Sequence, residues 1–362
     1  MVKTQVAIIG AGLSGLYAAW LLQRAGIDYV VLEARSRAGG RVLPAANSCT
    51  DLGATWLWPG IQPALSRLLV ELNIEIFFHQ ETGDMLIERT MDTPSRHPAF
   101  ISSPAAARVR GGMSKLTDTL LALLNPECVV MDVQVTQIEK NNGTLTVRGH
   151  NADEQAVILH AQHILLALPP MLALPPMLAA RIAFAPALPE PLLQAWRNTG
   201  TWMAPHAKYV ALYSRDFWKQ KGLSGEARSS VGPMVEIHDV SEPDGMYALF
   251  GFIGLPYNAR RAMGDTVLLE QCRAQLTRLY GPEAAYPHAE FIKDWAADPF
   301  TATTYDLSLQ AGHSVPPALV DDGPWRHAVT GIASEWSTAF PGYLAGAIDA
   351  AAEGVQRILN ER

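Results

Sequence analysis

Gly10, Gly12 and Gly15 fall in the run Gly10-Ala11-Gly12-Leu13-Ser14-Gly15, directly after the apolar Val6-Ala7-Ile8-Ile9. Glycines so spaced between a strand and a helix let backbone amides and the helix N-terminus close on a pyrophosphate. An acid ending the next strand can then accept hydrogen bonds from ribose hydroxyls, and Glu33, after Tyr29-Val30-Val31-Leu32, stands at that place. A lone glycine fingerprint is weak evidence. Strand, turn, helix, strand and acid in order make a dinucleotide site. Other chemistries leave no mark: there is no Gly-x-Ser-x-Gly elbow and no His-Glu metal spacing, and His160 and His163 lack a third ligand. No metal is expected.

NAD and FAD share that fingerprint, so the residues after it decide. Glu33-Ala34-Arg35-Ser36-Arg37-Ala38-Gly39-Gly40-Arg41, Asp51-Leu52-Gly53-Ala54-Thr55-Trp56 and Arg108-Val109-Arg110-Gly111-Gly112-Met113 follow in that order. Later come His206-Ala207-Lys208, then Trp295, Asp298-Pro299-Phe300-Thr301 and Tyr305. Ser334-Glu335 and Phe340-Pro341-Gly342-Tyr343-Leu344-Ala345-Gly346-Ala347 close the series. These ordered blocks resemble the flavin monoamine oxidase family, within the FAD oxidoreductases of the glutathione-reductase type, over most of the chain.

The resemblance implies FAD held by Gly10, Gly12, Ser14, Gly15, Glu33, Ala34, Arg35, Gly40 and Arg41, then by Gly53, Ala54, Thr55 and Trp56. Val135, through its backbone, and Ser334, Glu335, Gly342, Tyr343 and Leu344 complete the implied set. It implies Lys208 holding a water against flavin N5, Tyr305 and Tyr343 as facing rings of a slot for the amine, and Trp295 packed beside the flavin. The implied reaction moves a hydride equivalent from the carbon beside the amine nitrogen to the flavin. The imine product hydrolyses to an aldehyde, and dioxygen becomes hydrogen peroxide. The FAD should be non-covalent, because Thr304 precedes Tyr305 and no cysteine follows Cys272. Alternatives are an L-amino-acid oxidase, which needs an arginine clamp drawn from Arg215, Arg228, Arg260 or Arg261, a flavin dehydrogenase or desaturase, and a flavin-binding partner protein without turnover.

Positioning such residues requires an α/β fold: a Rossmann-like FAD-binding domain with a parallel sheet, and a smaller α+β substrate domain with mixed or antiparallel sheet. The FAD domain is expected to be discontinuous, over 1–79, 108–197 and 298–362, with the substrate domain over 80–107 and 198–297. Asn141-Asn142-Gly143 marks a hairpin between strands at 132–138 and 144–148, and 160–168 reads as one further apolar strand. Ala-Leu-Pro-Pro-Met-Leu occurs at 167–172 and again at 173–178, a local duplication in a connector. Strands are expected at 208–213, 234–238 and 246–253, an amphipathic helix at 265–280 and a last helix from near Gly342.

The chain departs from the resembling family in three places. Residues 80–107, with Pro94, Pro98 and Pro104, are too few and too little helical for the usual roof over the substrate. Ala333 and Ala351 stand where glycines are usual. A clipped roof implies an open site, or one covered by a second copy or a partner chain.

At 362 residues, 49% hydrophobic and only 17% charged, the chain is neither disordered nor one simple core. A net charge of −7 disfavours nucleic acid. The scattered Cys49, Cys128 and Cys272 suit reduced thiols and a cytoplasmic setting. The uncharged stretch at 5–22 is split by its glycines and lacks a cleavage site, so neither a signal peptide nor a membrane anchor is expected.

Overall fold

The computed structural model describes residues 2–79, 81–141, 143–173, 182–243, 245–307, 315–320 and 323–361. Val6–Ile9 (β1) is buried at every position, Leu13–Arg24 (α1) follows the glycine turn, and Tyr29–Leu32 (β2) returns parallel to β1. A short apolar run without polar alternation is what a central parallel strand needs, since both its faces are covered. The sheet runs Val329–Gly331, His163–Leu166, β1, β2, Val129–Val130, with every pair parallel. Val6 and Ile8 meet Leu16 of α1 and Ile348 of the closing helix Leu344–Asn360, whereas Ala7 and Ile9 join the opposite cluster around Val135, Trp196 and Trp325.

That opposite layer contains the expected hairpin, Val133–Asn141 against Thr144–Asn151. Residues 160–168, expected as one strand, are two. Ala156–Ala161 belongs to the hairpin's sheet and His163–Leu166 to the parallel sheet. The break falls at Gln162, where both Gln162 N and His163 N donate to Gln5 O and the chain pivots between layers. The duplicated hexapeptide lies outside the described residues from position 174 onward.

A second sheet has seven strands: Asp84–Glu88 (β3), Ser95–Pro98 (β4), Ala207–Tyr213 (β5), Leu223–Ser229 (β6), Met234–Asp239 (β7), Tyr247–Ile253 (β8) and Ala289–Asp294 (β9). Their order is β9-β5-β8-β7-β6-β3-β4. The three strands read between 208 and 253 are present, but β6 and β9 carry too little regular alternation to be read beforehand. Among its described residues, the short 80–107 stretch contains no helix; it supplies β3, parallel to β6, and the exposed edge strand β4.

Asp265–Tyr280 (α2) covers one face of this sheet, with Leu268, Cys272 and Leu276 against Tyr209, Ala211, Leu249 and Ile237. Side chains alternate across a strand, so Lys208, Phe250, Phe252, Glu236 and His238 go to the other face. Register sets them in rows. Lys208 opposes Phe252, Phe252 opposes Glu236, and Glu236 opposes Arg228; one row along, Phe250 opposes His238.

Candidate active site

One cavity of about 700 Å³ runs from the glycine turn to the polar face of the second sheet. At the turn, Gly10 adopts φ +106° and its N–H donates to Leu32 O at 2.8 Å. A Cβ on Gly15 would lie 2.0 Å from Gly10 O, so Gly15 allows the helix to start this close to the strand and does not itself line the cavity. α1 has no acidic residue in its first turn and no side-chain cap, which leaves its positive end and its free amides to the cavity. Gly12 and Ser14 line that end.

Glu33 is buried, and Oε2 accepts from Ala11 N at 2.8 Å while Oε1 accepts from Arg35 N at 2.9 Å. Its carboxylate therefore braces the turn, and the remaining lone pairs face the cavity that Glu33 lines. Arg35 pairs with Asp298 at 2.6 Å and lies over Phe300, tying the first loop to the segment before the closing signature. Arg41 makes a two-pronged pair with Glu335, at 2.6 and 2.9 Å, and donates to Ser334 Oγ at 3.2 Å. Glu335 does not line the cavity; it holds Arg41 in place. Ala34, Arg35, Gly40, Arg41, Gly53, Ala54, Thr55, Trp56, Val135, Ser334, Gly342, Tyr343 and Leu344 all line it, as does Ala333.

Lys208 lies in mid-cavity, 4% exposed. Its Nζ donates to Gly53 O and, at 2.8 Å, to Thr55 Oγ1, and it stands over the Phe250 ring at 4.5 Å. Burial lowers its pKa, with Asp51 opposing, and burial raises that of Asp51. Trp295 lines the same region, anchored by Nε1 to Leu52 O at 3.0 Å.

The expected ring pair is not assembled. Tyr343 lines the cavity, but Tyr305 does not; it packs half-buried on the core cluster of the parallel sheet. Asp306 sets that turn, because its carboxylate accepts from Thr303 N and Oγ1 at 2.7 Å and from Thr201 N at 2.6 Å. The rings that face Tyr343 are Trp202, at 4.4 Å between centroids, and Trp58, at 5.8 Å. Trp202 also lies 3.0 Å from where a Gly342 Cβ would be, so Gly342, at φ +83°, lets the two aromatic segments meet.

Apart from Arg228, weighed as a carboxylate clamp, the far wall was not legible in the sequence. His79, Glu226, Arg228, Glu236 and His238 line it. His238 Nε2 is 2.7 Å from Glu236 Oε1 and Nδ1 is 3.5 Å from Glu226 Oε1; Arg228 reaches Glu236 at 2.7 Å, and His79 reaches Glu226 at 3.8 Å. The β6–β7 pairing gathers Glu226, Arg228, Glu236 and His238, whereas His79 comes from the segment after Ile76–Phe78; β6 carried no readable alternation. His206 also lines the cavity; burial and then Arg260 lower its pKa, and its Nδ1 is buried without a hydrogen-bond partner. Of the four arginines weighed for a carboxylate clamp, only Arg228 lines the cavity. Among the described residues, no group of three side chains could hold a metal ion.

The donor set fits FAD: amides at a helix N-terminus for the diphosphate, a buried carboxylate near the ribose position, and apolar walls from Ile9, Leu32, Val133 and Val135. Comparison with known proteins agrees. The profile of the family described as flavin containing amine oxidoreductase matches residues 74–359, and that of an NAD(P)-binding Rossmann-like domain matches 8–72. Putrescine oxidase of Kocuria rosea is 24% identical, the match covering 97% of this chain and 95% of the relative. That match extends over 475 aligned positions, so the relative carries stretches without a counterpart here. Flavin-containing amine oxidase B of Canis lupus familiaris is 23% identical over 99% of this chain and 86% of its own. Among solved structures, a putrescine oxidase bound to putrescine superposes with TM-score 0.77 at 20% identity, covering 99% of both chains. Cyclohexylamine oxidase from Brevibacterium oxydans gives TM-score 0.76 at 18% identity, covering 99% of this chain and 100% of its own. The cradle for an FAD diphosphate, the buried lysine and the matched profile lead to one conclusion: this chain belongs to the flavin containing amine oxidoreductase family.

Proposed function

We propose that this chain is an FAD-dependent amine oxidase that turns an amine into an imine, then an aldehyde, and passes the electrons to dioxygen. The observation that carries the reading is Lys208, a buried lysine aimed into a flavin-sized cavity with two of its three donors engaged. The flavin, when bound, supplies the hydride acceptor and the route to oxygen. Lys208 keeps its third donor for a water, and its lowered pKa lets it hold that water as acceptor or donor of a proton. Tyr343, Trp202 and Trp58 orient the amine, and their low polarity favours the neutral amine, whose lone pair lets the adjacent carbon give up a hydride.

The remote wall argues for a substrate with a second cation. Glu226 and Glu236 stand two to three strands from Lys208, about 10–14 Å at the usual strand spacing. A putrescine-bound relative shares the fold. An amino-acid carboxylate would need Arg228, but Glu236 already occupies that guanidinium. The test is anaerobic mixing of the holoprotein with diamines, monoamines and amino acids. Bleaching of the oxidised flavin band by amines supports the reading; bleaching by none rejects it.

Cofactor attachment, setting and assembly complete the proposal. The FAD is non-covalent, since Cys49, Cys128 and Cys272 all lie outside the cavity lining; flavin left in the supernatant after acid precipitation would agree. Three free thiols suit the cytoplasm, and no helix of the described residues is long and apolar enough to cross a membrane. We assign the FAD domain to 1–79, 108–197 and 298–362 and the substrate domain to 80–107 and 198–297. Phe78, Phe100 and Ile101 are exposed near the shortened roof, which favours cover by a second copy.

A further inference from the structure

The His238 ring lies between two carboxylates. Nε2 is 2.7 Å from Glu236 Oε1 and Nδ1 is 3.5 Å from Glu226 Oε1. A neutral imidazole donates from one nitrogen only, so meeting an acid at each nitrogen calls for the imidazolium. The ring cannot turn away: Phe250 stacks on it at 5.7 Å and 15°, and Trp56 meets it edge-on at 5.1 Å. Charges on the wall then cancel, with Glu226 and Glu236 set against His238 and Arg228.

Other charged groups nearby are spoken for. Burial first, and then Arg108, lower the His79 pKa below the usual histidine value. Asp239 faces Lys219 at 3.0 Å, Glu81 accepts from Ser102 N at 2.8 Å, and Lys208 lies beyond the Phe250 ring. A balanced wall has little attraction for another cation. Loss of one proton from His238 leaves one uncompensated carboxylate, the match for a single ammonium.

We infer that His238 sets specificity by exchanging its proton for the remote ammonium of a diamine. Binding of the second cation at the cavity side of the carboxylate that loses its ring donor breaks one ring N–H bond, and the proton leaves to solvent; a monoamine of equal length leaves the ring charged. Burial works to lower the His238 pKa, but its hydrogen bonds to Glu226 and Glu236 outweigh burial and raise it above the usual value. The exchange therefore opens as pH rises through a range above the ordinary histidine range. This inference rests on the amine oxidase reading and names its substrate class.

The experiment is steady-state kcat/KM of the holoprotein for 1,4-diaminobutane and for butylamine between pH 6 and 9. The ratio of the two cancels titrations common to both substrates, including that of Lys208. It should rise about tenfold per pH unit and then level off, as release of one proton requires. In His238→Gln the ratio should be flat with pH. Glu226→Gln keeps the ring but removes one partner and one charge, so its rise should move to lower pH and level off at a smaller ratio than in the wild type. This second variant serves if the first fails to fold. A flat wild-type ratio, with both amines oxidised, overturns the proton exchange and leaves the oxidase reading standing. So does a His238→Gln ratio that keeps the wild-type slope. If neither amine bleaches the flavin, the oxidase reading itself has failed.

Discussion

Two glycines of the same turn should fail in different ways when given one methyl group. An ideal Cβ on Gly15 lies 2.0 Å from Gly10 O and 3.1 Å from Ala167 Cβ, so backbone must move by more than an ångström. That backbone is fixed from the other side, where Gly10 N donates to Leu32 O at 2.8 Å. Overpacking of this severity costs about 3 kcal/mol. At roughly 2 °C per kcal/mol for a chain of this size, Gly15→Ala should lower the melting temperature of flavin-free protein by about 6 °C. Gly12 differs: its φ of −73° suits alanine, and the nearest atom to a Cβ is Gly40 Cα at 4.0 Å. Gly12→Ala should melt within about 1 °C of wild type, because nothing is crowded. Its methyl instead enters the cavity that Gly12 lines, where the diphosphate must approach backbone. FAD affinity should fall about tenfold or more, or at least 1.4 kcal/mol. The assays are thermal melts of flavin-stripped protein and titration of that protein with FAD. Parallel losses of stability and affinity in both variants, or a wild-type melt for Gly15→Ala, would refute the assignment.

Three more outcomes follow from the site. Lys208→Met should slow flavin reduction or reoxidation at least about tenfold in anaerobic and oxygen-jump stopped flow. Because burial lowers the Lys208 pKa, the wild-type rate should also change with pH below the usual lysine range, and the variant should lose that limb. Glu335→Gln removes the charge that fixes Arg41, worth about 1.5–3 kcal/mol, so FAD should dissociate roughly 10–100-fold more readily in equilibrium titration. Tyr343→Ala should raise KM for the amine, whereas Tyr305→Ala should lower the melting temperature with little change in KM.

The strand, turn and helix from Val6 to Arg24 were legible because each residue answers to one local demand: burial on both faces, then backbone without side chains, then helical period. Lys208 was legible only within its block, and alternation along β5 delivers it to the cavity face, opposite Tyr209 and Ala211 on the α2 side. Tyr305 shows the limit. Spacing in sequence cannot say which way a turn points, and here the Asp306 carboxylate, not the tyrosine, decides it. The remote wall was hidden for another reason. In β6, Gly225 sits at φ +86° and interrupts the alternation, so Glu226 and Arg228 gave no sign of a shared face. Their meeting with Glu236 and His238 is a property of register between strands, which no single segment carries.

Phe250 stands between two groups to which the proposed function gives different purposes. On one side is the Lys208 ammonium, 4.5 Å from the ring; on the other is the His238 imidazole, stacked at 5.7 Å. A phenyl ring carries no titrating group and admits no water, so it acts as insulation between two circuits. The electron-transfer end and the substrate-reading end can then be tuned apart. Replacing acids or the histidine on the far wall changes which amine is accepted and leaves the lysine's surroundings intact. A catalytic head of fixed chemistry could in this way acquire new substrates by repainting a single row of one sheet.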